Sequence, residues 1–154
     1  MNKKMTIRAL ALLTALVSIF FFAYGCGARK KSMFKEQLKG DWQVVQLGDL
    51  PLQVTPGHMT FSFDFEKGMA GGMGFCNSYG TNFTVSDQGD CSFEAVFSTR
   101  VGCDGNREEA QLGINIEKTK KLVVKDDKLL FYDNSEAKGK PIIIMMHTVA
   151  KTKQ

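Results

Sequence analysis

Two histidines, His58 and His147, and four cysteines, Cys26, Cys76, Cys91 and Cys103, are the chain's whole supply of imidazole and thiol groups. Neither histidine sits in a nucleophile or zinc motif, and no G-x-S-x-G turn presents a serine. Asp64 and Glu66 are two residues apart on an alternating stretch, so both belong to the solvent side of a strand and read as a polar face, not an acid–base pair. Met69, Met73, Cys76 and His58 are soft or borderline ligands in one neighbourhood, a set that copper(I) favours. Thioether spacing is weakly specific, and packed methionines beside an oxidised Cys76 explain the same residues. The glycine-rich run before Phe75 lacks the Lys-Ser/Thr of a phosphate-binding loop and leads to no predicted helix; its glycines suit a bulge or tight bend in a curved sheet. The expectation is a protein that is not an enzyme, with no metal and no cofactor.

The strongest signal lies upstream of all these groups. Lys3, Lys4 and Arg8 precede an uncharged apolar run from Ala9 to Tyr24, which ends in Gly25-Cys26. A basic start, a short apolar core and small residues at a cut point form a secretory signal. The cysteine just past the cut looks like a bacterial lipobox, predicting lipidation at Cys26 and a tether to the bilayer on the periplasm-facing side of the cell envelope. Ala23 and Gly25 also fit the small-x-small rule of ordinary signal peptidase, which would release a soluble protein. Residues 1–25 are therefore read as signal peptide, 26–39 as lipid anchor and basic tether, and 40–150 as the folded domain.

Cleavage before Cys26 leaves 129 residues, enough for one modest core. The formal charge of +4 falls to +1, because the signal carries three basic and no acidic side chains. Nothing in that balance suits a nucleic-acid binder. The basic residues that remain are crowded next to the anchor, at Arg29, Lys30, Lys31, Lys35 and Lys39, where anionic headgroups would attract them. In an oxidising compartment the three cysteines beyond Cys26 predict one disulfide and one spare thiol. No Cys-x-x-Cys pair supports a redox or zinc-ribbon reading.

The elements that must position these groups follow from periodicity. From Met59 to Glu66 apolar and polar residues alternate without a fault, so Met59, Phe61, Phe63 and Phe65 share the buried face of an antiparallel strand. Further strands are expected at Trp42–Leu47, Thr81–Val85, Cys91–Phe97, Leu122–Lys125, Leu129–Tyr132 and from Ile142 to about Val149. A turn is expected at Asp126-Asp127. One helix is predicted from about Asn106 to Thr119, with Leu112 and Ile116 on its apolar stripe and Glu108 and Glu109 in its first turn. A short helical turn fits 34–38. The fold class is α+β: a curved antiparallel β-sheet or partial barrel with one packed α-helix.

Two segments, Gly71-Gly72-Met73-Gly74-Phe75-Cys76-Asn77-Ser78-Tyr79-Gly80 and Ser98-Thr99-Arg100-Val101-Gly102-Cys103, together resemble the META domain of HslJ-like bacterial envelope lipoproteins. Gly40-Asp41-Trp42, the helix carrying Glu109, Leu112 and Ile116, and the strand with Leu129 and Phe131 fit the same ordered pattern, from about Gly40 to Met146. The resemblance implies an envelope-associated, stress-related accessory lipoprotein with no established reaction. It also implies a Cys76–Cys103 disulfide. Cys91 would then be a free, buried thiol, since it shares strand parity with Phe93, Ala95 and Phe97. By chemistry, Asn77 suits a turn, Gly80 a bend, Tyr79 a core cap with its hydroxyl in water, and Arg100 a pairing partner for acidic side chains or carbonyls. Asn77, Tyr79, Thr99 and Arg100 are alternatively one surface patch that an envelope protein recognises. A second reading makes the curved sheet the carrier of a small apolar ligand, its cavity lined by the chain's 12 phenylalanines.

Overall fold

A computed structural model describes residues 33–53 and 55–148. The segment read as signal peptide, Cys26 and most of the basic tether lie outside the described residues. Helix α1 covers residues 33–38. The strands are β1 (Trp42–Leu47), β2 (Leu50–Pro51), β3 (Thr60–Asp64), β4 (Met69–Met73), β5 (Ser78–Val85), β6 (Cys91–Phe93), β7 (Phe97–Ser98), β8 (Lys121–Lys125), β9 (Lys128–Tyr132) and β10 (Ile143–His147), with α2 (Asn106–Lys118) between β7 and β8. The sheet runs β6-β5-β4-β3-β1-β10-β9-β8, with β2 added to β1 and β7 to β5. A bridge between Asp90 and Lys121 joins its two ends, reinforced by Cys91 N–H to Lys120 O (3.0 Å) and Leu122 N–H to Gly89 O (2.8 Å). The result is a nearly closed antiparallel barrel with one substantial helix, as the alternation in the sequence predicts.

The alternating strand supplies the centre of the core. Met59 and Phe61 are fully buried. The Phe61 ring meets Phe63, Phe93 and Phe131 edge-on at centroid distances of 5.0–6.4 Å, and Phe83 joins Phe63 to Phe93. These rings fill the barrel interior, each burying a large apolar area in geometries that aromatic quadrupoles favour. On β1, Trp42, Val44 and Leu47 are buried, a spacing that breaks strict alternation. A bulge between Val44 and Gln46 absorbs the extra residue and turns Leu47 back inward. The Trp42 indole N–H donates to Leu38 O (3.0 Å), and Leu38 is itself fully buried, so residues 33–38 pack as part of the barrel. Asp126 and Asp127 both have positive φ and join β8 to β9 as a two-residue hairpin. Helix α2 packs on β1, β6 and β10 through Leu112 and Ile116.

Three expectations are corrected. The glycine-rich run is not a bend but strand β4, paired with β3 and β5. Its glycines permit close approach: a Cβ at Gly71 would lie 2.2 Å from Tyr79 O, and one at Gly72 would lie 2.1 Å from Thr60 O. Asp64 and Glu66 do not share a strand face, because β3 ends at Asp64. Its carboxylate accepts the N–H groups of Glu66 (3.1 Å) and Lys67 (3.0 Å) and closes the turn. The parity from Cys91 to Phe97 also fails. The chain leaves β6 at Phe93 and re-enters the sheet as β7 against the start of β5, so the alternation restarts. Ala95 and Phe97 are exposed as a result, and the Phe97 ring lies over Gly80.

Cys91 is free, as expected, but half-buried at the barrel seam rather than fully buried. Burial first, and the charge of Asp90 second, push its thiol up to about 12. Because the thiolate is the reactive form, alkylation of Cys91 by iodoacetamide at pH 8 is expected to be slow in the native protein. It should become fast in denaturant; equally fast labelling in both states, read by mass spectrometry, would contradict the burial.

Candidate functional site

The residues that the sequence singled out meet at the junction of β5, the 96–105 segment and the start of α2. Asn77 is buried, and its side chain is tied down by a network of hydrogen bonds. Its Nδ2 donates to Val101 O (3.0 Å) and to Glu109 Oε2 (2.7 Å), while its Oδ1 accepts from Thr99 Oγ1 (2.9 Å) and Val101 N–H (2.7 Å). Its carboxamide therefore holds both backbone groups of Val101 as a neighbouring strand would. Thr99 N–H donates to Ser78 O (3.0 Å), and Ser78 N–H returns a bond to Thr99 Oγ1 (3.2 Å). The Cys76–Cys103 disulfide clamps the far side of the same loop, with Cα atoms 6.5 Å apart, confirming the expected pairing.

Glu109 locks this loop to α2. Its Oε1 accepts the N–H groups of Cys76 (2.7 Å) and Asn77 (3.0 Å). The helix begins at Gly105 without a side-chain cap, so this first-turn carboxylate is spent on the loop rather than on its own helix end. Burial alone would raise the Glu109 carboxyl, but the amides of Cys76, Asn77 and Phe75 and the Asn77 carboxamide hold it below the ordinary glutamate range. A depressed folded-state value means stability that is present above the unfolded value and lost as pH falls through the folded one. The stability gap between the wild type and Glu109→Gln should therefore be full at neutral pH and shrink below about pH 4–5. A gap that stays constant on acidification, measured by urea unfolding, would remove Glu109 as the ionised anchor.

Tyr79 is not the water-facing cap that its chemistry suggested. Its hydroxyl donates to Thr60 O (2.6 Å), and burial, followed by the charge of Glu109, pushes the phenol upward. Arg100 also departs from expectation: it is exposed and has no ion pair or hydrogen bond among the described residues. Asn77, Tyr79, Thr99 and Arg100 nevertheless line one cleft of about 470 Å³ between β7 and α2. The first two build its floor, and the last two stand on its rim.

The other sequence candidates are elsewhere. His58 shares a hydrogen bond with the Thr55 hydroxyl (3.1 Å), and His147 stacks on Trp42 with ring centroids 3.6 Å apart; neither lines the cleft. The soft-ligand set loses Cys76 to the disulfide. Atoms of Cys76, Cys103 and Glu109 do lie within 4.8 Å of one another, but the sulfurs are bonded together and the carboxylate is engaged by amides. Sequence reasoning missed Glu109 as an anchor and missed Glu117, whose Oε1 accepts Val96 N–H (2.8 Å). Their spacing with Gly113, at i, i+4 and i+8 on one helix face, was the available signal.

The META domain family matches this chain over residues 36–146. Among solved structures, an NMR structure of a protein superposes with a TM-score of 0.55 at 16% identity, covering 73% of this chain and 92% of that one, and supports the same fold. A second NMR structure, of a protein from Burkholderia xenovorans, has a TM-score of 0.47 at 19% identity and covers 71% of this chain and 81% of the other. No curated protein matches the sequence.

Proposed function

This chain belongs to the META domain family, and from that premise we propose that it is a non-enzymatic accessory lipoprotein of the bacterial envelope. It is anchored through Cys26 and binds a protein partner at the rim of the cleft between β7 and α2. The observation that carries the reading is the division of labour in the cleft. The buried Asn77 carboxamide, the half-buried Glu109 carboxylate and the Thr99 hydroxyl are engaged in holding the 96–105 loop, and the Tyr79 hydroxyl is engaged by Thr60 O on β3, whereas the Arg100 side chain is presented to solvent. Exposed, rigidly held polar residues on a loop suit recognition better than chemistry. Val101 and Ile114, 57% and 46% exposed, add apolar surface to the same rim. The rings packed inside the barrel weigh against a carrier of apolar ligands.

Two measurements test the proposal. The mass of the mature N-terminal peptide should show an acylated Cys26, since several acyl chains give stable anchoring where one is marginal; an unmodified Cys26 refutes the anchor. A photo-reactive residue at position 114, on the exposed rim of the cleft, should yield a defined protein adduct in intact envelopes, and one at exposed Lys128, the first residue of β9, should not. Equal adducts from both positions, or none from position 114, refute the binding face.

A further inference from the structure

The 96–101 segment has two backbone edges, and among the described residues only one is fully used. On the inner edge Phe97 pairs with Gly80, Thr99 N–H donates to Ser78 O, and the Asn77 carboxamide answers both backbone groups of Val101. Strand alternation then turns the N–H and C=O groups of Val96, Ser98 and Arg100 to the opposite side. Val96 confirms the direction, because its N–H donates to Glu117 Oε1 on α2. A carboxylate stands there where the carbonyl of a next strand would be. Ser98 and Arg100 have no such partner among the described residues, and their edge looks into the cleft.

An open strand edge is a template for another extended chain. Helix α2 covers this one only at the Glu117 end. At Gly113 the helix carries no side chain, and the cleft volume of about 470 Å³ lies in the ordinary range for ligand sites. Charge selects the occupant further. Arg100 is a cation with no ion pair among the described residues at the open end, while the nearby Glu109 is already answered by amide donors. A guanidinium at a cleft rim favours a carboxylate.

We propose that the partner contributes an extended peptide segment that adds as a strand to the outer edge at Ser98 and Arg100, with a carboxylate opposite the Arg100 guanidinium. This rests on the protein-binding reading above and names its chemistry. Main-chain hydrogen bonds would supply the affinity, and alternate side chains would lie on Val101 and Ile114. The carboxylate is that of a chain terminus or of an acidic side chain.

The probes are pools of random hexapeptides, one with free C-termini, one amidated, and one amidated with a fixed internal glutamate, titrated into the full-length ¹⁵N-labelled protein in detergent micelles. Saturable binding with shifts of the Ser98 and Arg100 amide resonances is expected. The free-terminus pool outperforming the amidated one identifies a chain terminus; recovery by the internal glutamate identifies a side chain. N-methylating alternate amides of the best peptide should weaken binding about tenfold in one parity and little in the other, as expected if hydrogen bonds carry the affinity. Arg100→Gln should weaken binding by about tenfold, a charge-assisted bond's worth, and Ala110→Trp, on an exposed position of α2 lining the cleft, should abolish it. Peptides that bind without sensitivity to N-methylation overturn strand addition. So does the absence of peptide binding while the position-114 cross-link to a protein persists. Loss of that cross-link itself strikes the protein-binding reading instead.

Discussion

Asn77→Ala is expected to destabilise the domain by about 3–4 kcal/mol, from the loss of several hydrogen bonds in a part-buried network, one of them to a charged group. The substitution removes the bonds to Val101 O, Val101 N–H, Thr99 Oγ1 and Glu109 Oε2 together, leaving the Glu109 carboxylate short of a donor. Because Asn77 stands in for a strand residue, its loss should also release the 99–105 loop and blur the cleft rim. A shift in the urea midpoint at unchanged m-value would register the stability term. Amide exchange at Val101 should accelerate in parallel. Asn77→Asp separates the roles of the two ends of the carboxamide. It keeps an acceptor for Thr99 and Val101 but places a second carboxylate against Glu109, so its deficit should grow as pH rises through the carboxylate range. An Asn77→Ala protein within about 0.5 kcal/mol of wild type, a difference typical of simple surface changes, would show that the network is ornamental.

Removal of the Cys76–Cys103 disulfide, as the Cys76→Ser/Cys103→Ser double variant, is expected to cost roughly 3–4 kcal/mol on the chain-entropy model. The cysteines are 27 residues apart in sequence, and the bond closes the loop that holds all of β5, β6 and β7. That is a large share of the roughly 5–15 kcal/mol that separates a folded domain from its unfolded chain. The disulfide and Asn77 act on the same loop, so their effects should not add: once the loop is unclamped, the Asn77 bonds hold a segment that is already freer to move. A thermal unfolding series of wild type, double cysteine variant, Asn77→Ala and the combination measures that coupling. Strict additivity would mean that the clamp and the carboxamide stabilise separate parts of the fold.

Much of the architecture was legible locally. The unbroken alternation from Met59 to Phe65 encodes a buried face because strand side chains repeat every two residues. The spacing of Leu112 and Ile116 placed a helix with its apolar stripe, and Asp126-Asp127 marked a hairpin turn. Even so, local parity misled wherever the chain changed partners. Phe97 matched the alternation of Phe93 and Cys91, yet the break between β6 and β7 restarted the count and left it 55% exposed. The glycines of β4 read as a bend because nothing local reveals that the Tyr79 and Thr60 carbonyls press against them.

The sequence by itself therefore determined the antiparallel class, the main strands, the helix and the chemistry available to the chain. Tertiary structure alone decided what that chemistry does. Glu109 meets Asn77 across 32 residues, and Glu117 meets Val96 across 21. Barrel closure through Asp90 and Lys121 spans 31 more. Such contacts depend on sheet register and on where the helix docks, and a local periodicity carries neither. The same cause separates Asn77, turned inward to serve as backbone, from Arg100, turned outward with no side-chain partner among the described residues.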